Sequence, residues 1–209
     1  MIELRILLHS CCAPCLAGSR IPYEEEGFEV IGYWYNPNIH PWKEYDRRLQ
    51  DMERYSLLEP MKIIYDKDYP LLEIIEEMTL PISNKKENRS NTFMDEKDRR
   101  KRCESCYKRR IKNTAMKAKE MKIDGFSTTL LISKYQNHDL IKEVCTTTAK
   151  EVGVEFIYRD LRKYWGRSLD KSRKYRLYRQ QYCGCIFSES ERYQKEIDSP
   201  YGMNNIEAL

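Results

Sequence analysis

A chain of 209 residues with 41% hydrophobic content can build one sizeable core, and 33% charged residues exclude a membrane-embedded protein. No stretch approaches the roughly 20 consecutive apolar residues that cross a bilayer. The N-terminal MIELRILLHS carries Glu3 and too short an apolar run for a signal peptide, so a cytoplasmic protein without membrane contact is expected.

Apolar runs alternate with helical patterns along the chain. Leu4–Leu8 reads as a strand, about Leu16 to Glu26 as a helix ending at Gly27, and Phe28–Tyr35 as a second strand rich in β-branched and aromatic residues. Asn36-Pro37-Asn38 forces a loop before a helix over about Trp42–Ser56, a strand Met61–Tyr65 and a helix from near Pro70. Residues 81–101 are polar and nearly free of aliphatic side chains, which predicts a mobile surface insertion. From Cys103 a helix carries Ile111, Ala115, Ala118 and Met121 at helical spacing, followed by strand FSTTLLI (126–132), helix His138–Val152 capped by Gly153, and strand VEFIYRD (154–160).

Such alternation predicts parallel βαβ units: a doubly wound α/β domain with helices on both faces of the sheet. Ligands of these folds bind beyond the carboxyl ends of the strands. The turns HSCCAPC (9–15), NPN (36–38) and SKYQNH (133–138) all fall at that edge. Asn36, Asn38, Gln136, Asn137 and His138 are therefore candidate substrate-binding residues, able to read a heterocycle, although turns also collect such side chains for backbone reasons. His40 is expected to satisfy its own loop.

Seven of the eight cysteines fall into three tight groups: Cys11, Cys12 and Cys15; Cys103 and Cys106; Cys183 and Cys185. A reducing compartment disfavours structural disulfides, so clustered thiols point to metal or redox chemistry. One CxxC serves a redox pair or half a zinc site equally well, but three groups are a stronger signal for soft-metal ligation. Four donors complete a structural zinc site or one four-iron cluster, and seven exceed either. The surplus implies a cluster with a second metal, a cluster with redox-active thiols beside it, or two zinc sites. Cys145, alone in a helical pattern, reads as a small buried hydrophobe.

The net charge is only +4, but RRKRCESCYKRR (99–110) and RKYWGRSLDKSRKYRLYRQQY (162–182) concentrate Lys and Arg. The second interleaves them with tyrosines, which suits a nucleic acid; the alternative is a solvated helix face with its tyrosines turned to the core.

Together, HSCCAPC, YNPNIHPWKEYDRR, CESCYKRR, FSTTLLISKYQNHDLI and QQYCGCIFSE resemble the QueH family, cobalamin-independent epoxyqueuosine reductases that complete queuosine formation in tRNA. The resemblance runs in order from about Leu4 to Glu189 and leaves out 81–101 and the C-terminal tail. It implies a three-layer Rossmann-like sandwich related to the HUP and PP-loop folds, with a mainly parallel sheet and a helical C-terminal segment. The domain would span 1–198, with a flexible tail at 199–209. The resemblance further implies a 4Fe-4S cluster and an additional iron ion. Cys11, Cys12, Cys103, Cys106, Cys183 and Cys185 match metal-binding positions; at Cys15 some relatives carry a carboxylate, which also ligates iron. Spacing does not divide the thiols between the centres. The expectation places Cys103 and Cys106 on the cluster and Cys15, as the catalytic ligand, on the additional iron. The implied partners are tRNA carrying epoxyqueuosine, gripped through Arg173, Lys174 and Arg176, and a ferredoxin-like or flavodoxin-like electron donor. A zinc-stabilised RNA-binding module and a thiol-disulfide oxidoreductase are the rival readings.

Overall fold

Strand β1 (Arg5–His9) is buried at four of its five positions, as expected of a strand covered on both faces. The structure is a computed structural model and describes residues 4–82 and 95–199. After β1 come α1 (Ala13–Ser19), α2 (Ile21–Glu25), β2 (Glu29–Trp34), α3 (Trp42–Leu58) and β3 (Ile63–Tyr65). Next are α4 (Leu71–Thr79), α5 (Glu96–Glu120), β4 (Gly125–Thr128), α6 (His138–Val152) and β5 (Glu155–Phe156), and then α7 (Trp165–Lys174), α8 (Ile186–Arg192) and α9 (Gln194–Asp198).

All strand pairs are parallel and the sheet order is β3-β2-β1-β4-β5. Leu7 of β1 is in register with Ile31 of β2 on one side and Phe126 of β4 on the other. The chain adds strands outward from β1 to β3, then crosses back to place β4 against the free side of β1. The loops after β1 and β4 therefore diverge and open a crevice at the carboxyl edge, the switch point at which such sheets bind ligands. Helix α5 lies against β1 and β4 with α6 beside it, while α1 packs with α3 and α7. This is the Rossmann-like three-layer sandwich expected from the alternation of elements.

Several boundaries differ from the sequence expectation. The first helix starts three residues earlier, at Ala13, because Cys12 caps it, and it breaks at Arg20 where Pro22 begins a separate turn. The strand expected over 126–132 ends at Thr128, whose hydroxyl accepts the Leu130 N–H at 3.2 Å and curls Thr129–Ile132 into a 3-10 turn. The last strand pairs only at Glu155 and Phe156. The insertion expected over 81–101 is corrected at its end. Asp95 caps α5 by accepting the Asp98 N–H at 2.7 Å, so the helix begins seven residues before Cys103. Residues 83–94 and 200–209, which take in the rest of the insertion and the tail, lie outside the described residues.

The C-terminal segment is positioned by close approach. A Cβ on Gly18 of α1 would lie 2.7 Å from the Ser168 Cβ of α7, and Ser168 Oγ donates to the Pro14 carbonyl at 2.6 Å. Only glycine lets α7 seat this closely, which directs residues 175–185 back across the carboxyl edge of the sheet.

Candidate metal centre

Cys11, Cys12 and Cys15 follow β1 directly and are all buried. Cys12 is the N-cap of α1, its sulfur accepting the Cys15 N–H at 3.3 Å, so the cap geometry turns both thiols to the same side. Thr129, just past β4, accepts the Cys11 N–H at 3.1 Å and lies 3.3 Å from the Cys11 sulfur. The three sulfurs all lie within 4.8 Å of one another. Ligands about 2.3 Å from one tetrahedral metal stand about 3.8 Å apart, so this trio suits a single ion. Donation from the Cys12 and Cys15 thiols, and from Thr129, holds the Cys11 thiol well below its ordinary pKa, whereas burial pushes Cys12 up.

The other four cysteines meet elsewhere. Cys103 and Cys106 are one turn apart on α5; Cys183 and Cys185 flank Gly184 ahead of α8, where Cys185 caps the helix by accepting the Ser188 N–H at 3.4 Å. All four line one cavity of about 250 Å³, together with Asn38, Tyr107, Arg110, Gln136 and Asn137. Burial, with neighbouring cysteines adding to it, pushes the Cys106 thiol up to about 12 and the Cys183 thiol to about 11. Such a set costs free energy to ionise unless positive charge joins it. Four thiols spread around a cavity, rather than gathered on a point, suit a multi-atom metal cluster.

Gly184 is required between Cys183 and Cys185. Its φ is +147°, and a Cβ there would lie 3.1 Å from Ile39 Cγ1 and 3.4 Å from Arg48 Nη1. Its carbonyl accepts the His40 N–H at 2.7 Å, and Arg48 donates to the Cys183 carbonyl at 2.9 Å and the Tyr182 carbonyl at 3.1 Å. The NPN loop and α3 thereby fasten the CGC turn over the cavity.

Three arginines, each no more than 2% exposed, surround these thiols. Arg48 pairs with Glu44 at 2.7 Å and Arg102 with Glu191 at 2.9 Å. Arg110 instead donates to the Cys106 carbonyl at 3.3 Å and the Cys106 sulfur at 3.2 Å. Its charge also acts on Cys183 and on Cys11 of the trio. His9, fully buried, is held neutral by burial and Arg110, down to about 4. It lies 2.9 Å from Thr128 Oγ1 and 3.2 Å from the Tyr35 carbonyl, a structural role at the strand end.

Of the expected substrate residues, Asn38, Gln136 and Asn137 line the cavity, whereas Asn36 and His138 do not. Gln136 donates to the Cys183 sulfur at 3.1 Å and accepts from the Tyr107 hydroxyl at 2.5 Å; Asn137 caps α6. Asn38 Oδ1 is buried without a hydrogen-bond partner. Asn36 donates to the Ser10 carbonyl at 2.9 Å, and His138 lies 3.0 Å from the Tyr158 hydroxyl. His40 is buried, and the backbone of Pro37 in its own loop acts on its ring, opposing the burial that lowers its pKa. Arg173, Lys174 and Arg176 are exposed beyond the cavity, at the end of α7, Arg173 paired with Asp170 at 3.2 Å. The tyrosines of the segment 162–182 include three that point inward: Tyr175 donates to Glu59, Tyr178 to Glu44 and Tyr182 to the His40 carbonyl, at 2.6–2.7 Å. Cys145 is fully buried and apart from both thiol groups. Gln180, the first residue of the QQYCGCIFSE motif but not among the expected site residues, donates to the Cys12 sulfur at 3.3 Å.

The family model described as epoxyqueuosine reductase QueH matches residues 6–191. A relative from Dehalococcoides mccartyi named epoxyqueuosine reductase QueH is 37% identical over 193 residues, covering 91% of this chain and 96% of the relative. Relatives with the same name from Thermotoga maritima and Staphylococcus aureus are 30% and 31% identical, covering 92% and 91% of this chain and 94% and 78% of theirs.

Proposed function

The chain belongs to the epoxyqueuosine reductase QueH family, and on that premise we propose that it reduces the epoxide of epoxyqueuosine in tRNA to the alkene of queuosine with iron held by its seven clustered cysteines. The observation that carries this reading is the sorting of those cysteines into a close trio and a cavity-lining quartet. Cys103, Cys106, Cys183 and Cys185 would hold a 4Fe-4S cluster. Cys11, Cys12 and Cys15 would hold the additional iron. A buried guanidinium without a carboxylate, beside a set of thiols, fits anionic thiolate centres and not neutral thiols.

The reaction takes two electrons and two protons, breaks both epoxide C–O bonds and releases the oxygen as water. Amino-acid side chains do not supply low-potential electrons; a bound iron-sulfur centre and a Lewis-acidic iron supply them and polarise the epoxide oxygen. The protein's own residues bind, orient and exclude water. Asn38, with an unused buried acceptor at the cavity wall, presents a polar contact for substrate. Gln136 is held by Tyr107, whose phenol keeps its proton because burial raises its pKa. Met78 and Leu140 supply apolar wall.

Arg99 and Arg100 lie on the cavity lining, as does Tyr135, which is 79% exposed. Such a basic, aromatic rim suits a single-stranded loop whose modified base is turned inward. Arg173, Lys174 and Arg176 extend positive charge for flanking phosphates, and a ferredoxin-like or flavodoxin-like protein serves as donor. Among the described residues no helix is long and apolar enough to cross a membrane.

The test is direct. Anaerobically prepared protein, reduced chemically, is incubated with tRNA containing epoxyqueuosine, and the nucleosides are analysed by mass spectrometry. Loss of one oxygen from the modified nucleoside is expected; recovery of unchanged epoxide with iron-replete protein contradicts the proposal.

A further inference from the structure

Arg110 is 1% exposed and its charge has no carboxylate within ion-pairing distance among the described residues. The other two buried arginines at the site set the contrast, since Arg48 has Glu44 and Arg102 has Glu191. A guanidinium removed from water is strongly unfavourable without an anion. The groups offered to Arg110 are sulfur and carbonyl: Nη2 donates to the Cys106 sulfur at 3.2 Å and Nε to the Cys106 carbonyl at 3.3 Å, with Cys183 and Cys11 also within its field.

We propose that Arg110 is a positioning residue whose fixed charge, directed at the Cys106 sulfur of the cavity quartet, sets the reduction potential of the iron-sulfur centre. The inference rests on the reading given under Proposed function. A four-iron cluster on four thiolates is a dianion when oxidised and a trianion after accepting one electron from a chemical or protein reductant. A buried cation with an N–H directed at a ligand sulfur stabilises the more negative state and raises the potential. Fixing this charge on α5, one turn beyond Cys106, ties it to the ligand by the rigidity of the helix.

The experiment uses the full chain, loaded with iron and sulfide under anaerobic conditions. Reductive titration of wild type, Arg110→Gln and Arg110→Lys is followed by electron paramagnetic resonance, with iron and sulfide counted in each. Arg110→Gln with wild-type iron and sulfide should shift the midpoint to more negative values, while Arg110→Lys, which keeps the charge but not the two-point contact, should stay nearer wild type. An Arg110→Gln protein fully loaded and unshifted overturns the assignment. Should Arg110→Gln fail to load, Arg102→Lys protein labelled with 15N-arginine decides, since Arg102 also lies 3.9 Å from the Cys103 sulfur: a nitrogen coupling from arginine in the pulsed spectrum of its reduced centre supports the proposal, and its absence refutes it. Wild-type protein without acid-labile sulfide would instead defeat the functional reading on which the proposal stands.

Discussion

The side-chain amide of Gln180 donates to the Cys12 sulfur at 3.3 Å and lies 3.9 Å from that of Cys15. A residue 168 positions along the chain from Cys12 thereby covers the trio. Groups that hydrogen-bond a metal ligand typically change metal affinity 10–100-fold. Gln180→Leu should accordingly weaken Co2+ binding at the trio by about 10–100-fold, read from the thiolate charge-transfer absorption during titration of metal-free protein. Unaltered affinity would mean that the amide merely packs there.

The two thiol groups make separable predictions. Cys103→Ala or Cys106→Ala should remove acid-labile sulfide and the brown colour together with most of the iron. Cys12→Ala or Cys15→Ala should retain sulfide and lose about one iron per chain, because the trio accommodates a single ion. Cys145→Ala, remote from both groups, should change neither content. Full iron and sulfide in Cys106→Ala would remove the quartet from the account.

Gly184→Ala places a Cβ at φ +147° and against Ile39 and Arg48. Strained backbone of this kind costs about 1–3 kcal/mol. Denaturant titration of reduced, metal-free protein should show a loss of that size, and reconstituted protein should retain less iron. Equal stability would mean that the CGC turn relaxes freely.

Acid stability should depend on Glu59. Burial works to raise its pKa, but donation from Lys171 at 2.6 and 2.8 Å, from Tyr175 at 2.6 Å and from Tyr55 at 2.9 Å wins, holding it down to about 2. A depressed folded-state pKa contributes stability that is fully present above the ordinary carboxylate range and is lost as pH falls from there toward about 2. Glu59→Gln should thus be less stable than wild type near neutrality and should flatten the acid limb of the stability curve of metal-free protein. Parallel acid limbs for the two proteins would contradict this.

Replacing Arg173, Lys174 and Arg176 together by Ala should weaken tRNA binding at low salt. The slope of log affinity against log salt should fall by roughly 0.7–0.9 for each phosphate no longer neutralised. An unchanged slope would place the tRNA elsewhere, with the Arg99, Arg100 and Tyr135 rim as the next surface to test.

The alternation of buried runs with helical spacing made the parallel sheet legible, and the tight spacing of seven cysteines made the thiol groups legible as candidate metal ligands. The sorting of the thiols was not. It arises because α5 crosses the sheet beside β1 and β4 while residues 175–185 return over its edge, and no local pattern encodes that meeting. The early start of α5 was hidden because the buried positions in its first turns are Asp98 and Arg102, which composition counts as surface. Arg110 was hidden for the same reason inside a basic run. Gln180 lay in a segment whose basic and aromatic content pointed outward to nucleic acid, whereas Tyr175, Tyr178 and Tyr182 are spent on internal hydrogen bonds.

Metal and sulfide analysis of protein purified without oxygen tests the central claim most directly. One four-iron cluster and one additional iron predict about five irons and about four acid-labile sulfides per chain. Zinc at the cysteines with no sulfide, or a metal-free protein that cycles between dithiol and disulfide, would contradict it.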